Sequence, residues 1–499
     1  MDIPTLESLN LLAVLPAIIL AAYTGLLLVV DLFIPNENKQ RTALLAILGL
    51  GATGVALGVQ INQYSAIGDQ MAFGGLVIVD GYALFLQGIF LLSAILGILM
   101  AMNYLPRRGI ERGEYYSLIL FTTVGSMFMA LANDLMVVFV ALELLSIPLY
   151  VLSAFIRDDP GSEEAGMKYF LLGAFSSAFF VYGVALIYGG TGTTSLDGVA
   201  AVLAGEALNL PLALVGMGLL LVGLGFKVAA FPFHMWTPDV YQGAPTAATG
   251  FMSVGAKVAG FAALIRVLVT AFPGAAQAWG LLVIAIAILT MILGNVTAIS
   301  QSNAKRMLAY SSIAHAGYIL VALSAAQFPE LAQEASSAAL FYMLTYTITN
   351  LGAFAVVMAI EKDDGSGVEI EDFAGLAKSR PAVALMMLIF MLSLTGLPVS
   401  AGMVGKFFVF GVAINAASQS VWLAIVAIVG VLTSVVSAFY YMRIVYMMYM
   451  RDGDEEAEYP AIKPALGTAL AVTGIGTLVL GFLPTLLFDA AQRALIAGL

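Results

Sequence analysis

The chain has 499 residues, 61% of them hydrophobic and only 10% charged, with a mean hydropathy of +0.99, which excludes an ordinary soluble globule and indicates a polytopic membrane protein. The formal net charge of -11 says little about partners, because the acids gather in a few loops such as Asp452-Gly453-Asp454-Glu455-Glu456, a solvated turn. Having no cysteine, the chain cannot hold a disulfide framework, thiolate metal sites or iron-sulfur clusters, so redox chemistry has to occur elsewhere.

Met1 to Glu7 lacks the positive region and small-residue cleavage site of a signal peptide, so the first apolar run is expected to stay as a membrane helix. Windows of about 20 apolar residues predict spans over 9–33, 42–60, 82–104, 115–133, 135–156, 167–189 and 210–233. They continue over 247–271, 277–299, 304–326, 336–360, 382–415, 421–447 and 464–489, fourteen in all. The loops check this count, since Lys and Arg gather on the cytoplasmic side. Loops after odd-numbered spans carry Lys39, Arg41, Arg107, Arg108, Arg112, Arg157, Lys168, Lys305, Arg306, Lys362, Lys378, Arg380, Arg443, Arg451 and Lys463, fifteen of the 20 basic residues. Loops after even-numbered spans carry none. The pattern therefore predicts both termini on the non-cytoplasmic side, with Arg266 near the outer end of the eighth span and Arg493 in the tail.

Glu143, Lys227, Lys257 and Lys406 interrupt these spans. A charge at the centre of a membrane helix costs about 2.5 to 3.5 kcal/mol on insertion scales, so four oppose insertion by roughly 10 kcal/mol or more. Intramembrane ionisable groups mark ion or proton paths, and lysine with glutamate, without cysteine, favours protons over soft metals. Burial disfavours the charged form of either side chain, while a Glu-Lys pair restores charge to both. Such a pair is a switch for proton affinity.

Helix breakers lie beside two of the lysines. Pro232 lacks the amide that would bond the carbonyl of Val228, so the seventh span is expected to break just after Lys227. In the twelfth span, Gly396-Leu397-Pro398 precedes Lys406. Broken helices at corresponding places in two halves point to inverted repeats and a transport site. The expected fold is an all-α polytopic membrane protein of about fourteen transmembrane helices with two inverted five-helix repeats, each containing one discontinuous helix. The division reads as a three-helix segment over 1–114, repeats over 115–272 and 273–455, and a C-terminal helix over 456–499. Non-helical backbone at membrane depth is tolerated only within protein or beside water, so both broken-helix lysines should face a hydrated interior.

Three long motifs carry a resemblance: Phe226-Lys227 with Pro232-Phe233-His234-Met235-Trp236-Thr237-Pro238-Asp239 through Thr246, Lys305-Arg306-Met307-Leu308-Ala309-Tyr310-Ser311-Ser312 through Tyr318, and Gly396-Leu397-Pro398 to Gly405-Lys406. Over essentially its whole length the chain resembles the antiporter-like subunits of proton-pumping NADH-quinone oxidoreductase, respiratory complex I. The resemblance implies a proton-translocating membrane-arm subunit driven by quinone reduction elsewhere in the complex. It implies no cofactor or metal in this chain, and as partners the antiporter-like subunit M, small membrane subunits and lipid, with no nucleic acid. Glu143, Lys227, Lys257 and Lys406 match the family's functional charges. In the sister subunit M a glutamate usually stands at the position of Lys406, and subunit L usually continues into a long lateral helix. The implied order runs from a Glu143–Lys227 pair through Lys257 as middle relay and His315 as candidate bridge to Lys406 as terminal carrier.

Other readings compete with these. A purely structural Glu143–Lys227 ion pair would leave Lys257 and Lys406 unexplained. Multisubunit Na+ or K+/proton antiporters share the broken-helix lysine pattern and form the alternative function. His234 reads as a loop-packing residue, and Asp134 and Asp239 as caps or solvated loop groups. The methionines between Met442 and Met450 fill packing gaps, and paired glycines such as Gly216 and Gly218 suit close helix contact. Gly189 to Thr193 lacks the ending of a phosphate-binding loop, and Asn295-Val296-Thr297 falls in a predicted span.

Overall fold

The computed structural model describes residues 9–205, 209–453 and 459–498. Met1 to Glu7 and the acids Asp454, Glu455 and Glu456 lie outside them. Among the described residues, fourteen helices are long and apolar enough to cross a membrane. Spans one to four are Leu11–Asp31, Gln40–Ile67, Gly81–Arg107 and Glu114–Leu131. The next three are Leu135–Ser153, Pro160–Thr191 and Leu210–Val228. Thr246–Ala271, Pro273–Ile299, Ala304–Ala325 and Pro329–Ile360 are the eighth to eleventh. The twelfth consists of Pro381–Thr395 and Ala401–Asn415, followed by Val421–Met450 and Pro464–Phe482.

Several boundaries differ from the sequence expectation, each for a local reason. The sixth span begins at Pro160 rather than 167, capped by the Asp159 side chain, because the fixed φ of proline suits a first helical position. Lys168, like Arg41, Lys305, Arg306 and Arg443, is grouped with the loops in the sequence but lies within a helix. The seventh ends at Val228 instead of reaching 233. The eleventh starts seven residues before 336, at Pro329. The fourteenth stops at Phe482, and a separate helix, Thr485–Arg493, follows Pro484. One element lies outside an all-α description: a small antiparallel hairpin pairs Gln70–Ala72 with Val77–Val79 before the third span. Strands of three residues are too short to show alternation in the sequence.

The basic loops share one end of the bundle, as cross-loop bonds establish. Arg108 donates to the Asp363 carbonyl at 2.8 Å, Arg380 to the carbonyls of Tyr459 and Pro460 at 2.8 and 2.7 Å, and Arg443 to that of Gln301 at 2.9 Å. At the opposite end, Asp80 caps the third span and receives a bidentate pair of 2.8 Å bonds from Arg266 on the eighth. Both groups are buried, and Asp80 also accepts from the Ala497 amide at 3.0 Å.

The apolar stretches of the eighth and eleventh spans are wholly buried and that of the tenth almost so. They form the centre of the molecule. The fifth, sixth, twelfth and thirteenth spans instead present apolar side chains such as Val140, Phe175, Phe407 and Val435 outward, as lipid- or subunit-facing helices do. The three intramembrane lysines point inward, each no more than 5% exposed.

Candidate functional site

Both helix breaks occur beside a lysine. Val228 ends the first half of the seventh span, Ala229 turns into the left-handed region (φ 60°), and Pro232 sits in the following turn. A short helix, Trp236–Gly243, then leads to the eighth span. In the twelfth span Gly396 adopts φ +88° after Thr395, and Pro398 and Val399 complete the turn. The broken spans are the seventh and the twelfth, five positions apart, so in an alternating bundle they run in opposite directions.

The twelfth-span break exposes carbonyls that a continuous helix would use, and Lys406 occupies them. Its Nζ donates to the carbonyls of Leu394 and Thr395, both at 2.9 Å. An ammonium at a helix C-terminus also meets the negative end of the helix dipole. Gly396 makes room for this approach: a Cβ there would stand 2.9 Å from Lys406 Cδ. The Lys406 ammonium lies 4.7 Å from the Tyr318 ring centroid, an attractive cation–π arrangement.

Lys227 lies in the last turn of its half-helix. It donates to Ser146 Oγ at 2.8 Å and Tyr169 Oη at 3.2 Å. Its stem lies against Gly260, where a Cβ would meet Lys227 Cγ at 3.1 Å. Gly260 is one helical turn from Lys257. Lys257 in turn donates to the Ser312 carbonyl at 2.8 Å and to its hydroxyl, which also accepts from Tyr346 Oη at 2.8 Å.

His315, one turn beyond Ser312, joins this region to Lys406. Its Nδ1 pairs with Tyr342 Oη at 2.7 Å and its Nε2 with Tyr441 Oη at 3.1 Å. The imidazole lies 5.4 Å from the Tyr318 ring and 5.0 Å from that of Tyr346. A cavity of about 10 Å³, near the size one water needs, lies between His315 and Leu394, one of the two residues whose carbonyls hold Lys406. Beyond Lys406 a cleft of about 400 Å³, bordered by Phe407, Ser434 and Val435, opens to the bundle surface.

Lys257, His315 and Lys406 thus lie buried in one region of hydroxyl and aromatic side chains, and Lys227 packs against Gly260, one turn from Lys257. The expected Glu143–Lys227 ion pair is not made in this conformation. Half-buried Glu143 instead accepts from Ser177 on the sixth span, while Lys227 bonds Ser146, one turn along the fifth. The helix geometry explains the separation: residues three apart lie on one face but about 4.5 Å apart along the axis.

Three other candidates have plain roles. Asp134 caps the fifth span by accepting from the Met136 amide at 2.8 Å. Asp239 ties Lys168 at 2.6 Å to Arg306 at 2.7 Å, joining the sixth span, the short helix and the tenth span. Partial burial raises its carboxyl pKa, but the bonds from Lys168 and Arg306 outweigh this and hold it below the ordinary carboxylate range. His234 is buried, stacks on Phe231 at 5.7 Å and makes no polar contact through Nδ1.

Reasoning from charge alone missed the hydroxyl partners Ser146, Tyr169, Ser177, Ser312, Tyr342, Tyr346 and Tyr441. Their signal was available as spacing, since 342 and 346, like 312 and 315, recur on one helical face.

A family described as NADH:quinone oxidoreductase/Mrp antiporter, TM, matches residues 132–436. The chain is 46% identical over 494 residues to NADH-quinone oxidoreductase subunit N of Trichlorobacter lovleyi, covering 98% of this chain and 97% of that one. It is 43% identical to the subunit N of Chloroflexus aggregans, covering 99% of each. Among solved structures, respiratory complex I from Thermus thermophilus contains a similar chain, with TM-score 0.78 and 36% identity over 96% of this chain and 99% of that one. A chain of the Mrp complex from a Dietzia species shares the fold, with TM-score 0.81 at 22% identity over 98% and 97% of the two chains.

Proposed function

Because the chain belongs to the subunit N family of NADH-quinone oxidoreductases, membrane-arm subunits of complex I, we propose that it moves protons across the bilayer through its buried lysines. The observation that supports this reading is the burial of Lys257, His315 and Lys406 among hydroxyl and aromatic groups, where the ring of Tyr346, which bonds Ser312, and the ring of Tyr318, which faces Lys406, both lie beside His315, with Lys227 packed against Gly260.

The chemistry follows from the contacts. A lysine whose neighbours are hydroxyls and carbonyls holds a proton by hydrogen bonds and releases it when those acceptors withdraw. A carboxylate close by favours the ammonium form, and an apolar setting favours the neutral amine. Movement of Glu143 by one turn toward or away from Lys227 would therefore change how firmly that lysine holds its proton. Lys257 takes the next position, His315 bridges with a ring nitrogen on each side, and Lys406 releases through the cleft that reaches it. This chain contributes translocation, and the redox chemistry that drives it belongs to other subunits. We assign it a place beside subunit M and small membrane subunits in the bacterial inner membrane, with the basic end of the bundle in the cytoplasm and both termini outside. We also assign the helices from the fourth to the eighth and from the ninth to the thirteenth span to two inverted repeats.

Replacing Lys227 with Ala or Glu143 with Gln should suppress proton pumping in reconstituted vesicles while the complex still assembles, because neither change removes a large packing surface. Loss of assembly, with normal pumping by whatever complex remains, would mean that the two residues serve only the structure.

A further inference from the structure

Glu361 follows the last residue of the eleventh span, at the basic end of the bundle. It is only 2% exposed, and Tyr104 donates to its Oε1 at 3.0 Å. The other carboxylate oxygen, Oε2, has no partner. A buried carboxylate with a free oxygen is costly unless water reaches it. The charges around it are those of Lys305, whose Nζ bonds the Ala244 carbonyl at 2.7 Å, and of Arg107.

Below Glu361, polar groups on facing helices form rungs that descend to the relay. Tyr104, which donates to Glu361, lies on the third span, which packs along the eighth from its start at Thr246. Further in, Asn350 Nδ2 donates to Ser253 Oγ at 2.7 Å. The innermost rung is Lys257 with Ser312 and Tyr346. On the eighth span Ser253 and Lys257 are four residues apart, and Tyr346 and Asn350 have the same spacing on the eleventh, so each pair keeps one helical face. Thr246 to Lys257 is eleven residues, about 16 Å along the axis. Along this stretch Thr246 Oγ1 and Asn350 Oδ1 are buried without partners, as are Thr237 Oγ1 and Tyr241 Oη on the neighbouring short helix. Buried unpaired hydroxyl and amide oxygens are the usual anchors of internal water. Phe354 stands between the rungs, packed on Gly250 and 6.4 Å from the Tyr241 ring, an apolar plug of the kind that gates by excluding water.

We propose that Glu361 is the proton-collecting group of this subunit: it takes a proton from the aqueous phase at the basic end on Oε2 and passes it along waters held by Thr246 and Asn350 to Lys257. The inference rests on the lysine relay proposed above and names its entrance. No bond other than O–H and N–H is made or broken, and the carboxylate returns to its starting form after each transfer.

The test uses the assembled complex in vesicles. Glu361→Gln preserves shape and can still accept the Tyr104 bond, so a merely structural residue would tolerate it. On this proposal the variant assembles and its coupled pumping slows by about tenfold, less than a positioned acid–base group can contribute because water substitutes in part. Pumping equal to the unaltered complex overturns the assignment. Should Glu361→Gln fail to assemble, Glu361→Asp and Glu361→Asn provide a matched pair, equally shortened, of which only the first can carry a proton. Faster pumping by Glu361→Asp supports the proposal, and equal rates overturn it. Lys257→Ala, measured alongside, keeps the two readings apart. Normal pumping in Lys257→Ala defeats the relay itself, whereas a block there with normal Glu361→Gln defeats only the entrance.

Discussion

At the scale of single residues, the lysines are held by acceptors that membrane helices rarely leave free. Lys406 depends on two carbonyls released by the break after Thr395, and Lys257 on a hydroxyl and carbonyl of Ser312. Charge made these residues legible in the sequence, because each lysine in an apolar span demands a reason. The hydroxyls that hold them were not legible, since Ser, Thr and Tyr are common in membrane helices and only the fold selects which of them meet. The missing Glu143–Lys227 contact has the same origin, because sequence fixes which face a residue occupies but not the height of its partner on another helix. Lys406 supports a sharp expectation. On the proposed relay, Lys406→Ala removes the protonatable group next to the cleft and should block pumping, whereas Lys406→Glu remains protonatable and should retain part of it. Vesicle pumping assays check both, and full activity in Lys406→Ala would take this residue out of the path.

At the scale of elements, the breaks were readable from Pro232 and Pro398, but the long-range pairs that fix the helices were not. Asp80 and Arg266 lie 186 positions apart, and nothing local in either segment announces the other. The pair does more than neutralise two charges. Asp80 caps the third span, Arg266 brings in the eighth, and the Ala497 amide attaches the C-terminal segment to the same carboxylate. Removing one partner from a buried pair leaves the other charge uncompensated, at a cost of about 3 to 5 kcal/mol. Arg266→Met should therefore lower the yield of assembled complex and its unfolding temperature in detergent. Adding Asp80→Leu should recover part of the loss, since a matched apolar pair is tolerated far better than a lone buried charge. An Arg266→Met protein as stable as the original would show that water reaches Asp80.

At the scale of the whole molecule, the asymmetry of the loops and the inward placement of the lysines belong to one arrangement. The segments that carry the basic residues are bonded to one another at one end, through Arg108, Arg380 and the helical Arg443, so charge asymmetry in the sequence has become a physical polarity of the bundle. Glu361 lies buried at that end and Lys406 lies deeper in the bundle, so the proposed relay between them runs inward if the basic end is cytoplasmic. The positive-inside tendency supplies that orientation. Because the chain contains no cysteine, single substitutions report sidedness without background. Leu495→Cys, an exposed position at the end opposite the basic loops, and Asp2→Cys should react with a membrane-impermeant thiol reagent added outside intact cells. Ser366→Cys, exposed in the loop that follows Glu361, should react only after the inner face is opened. Labelling of Ser366→Cys from outside would invert the molecule, and Glu361 would then stand at the exit of the proton path instead of its entrance.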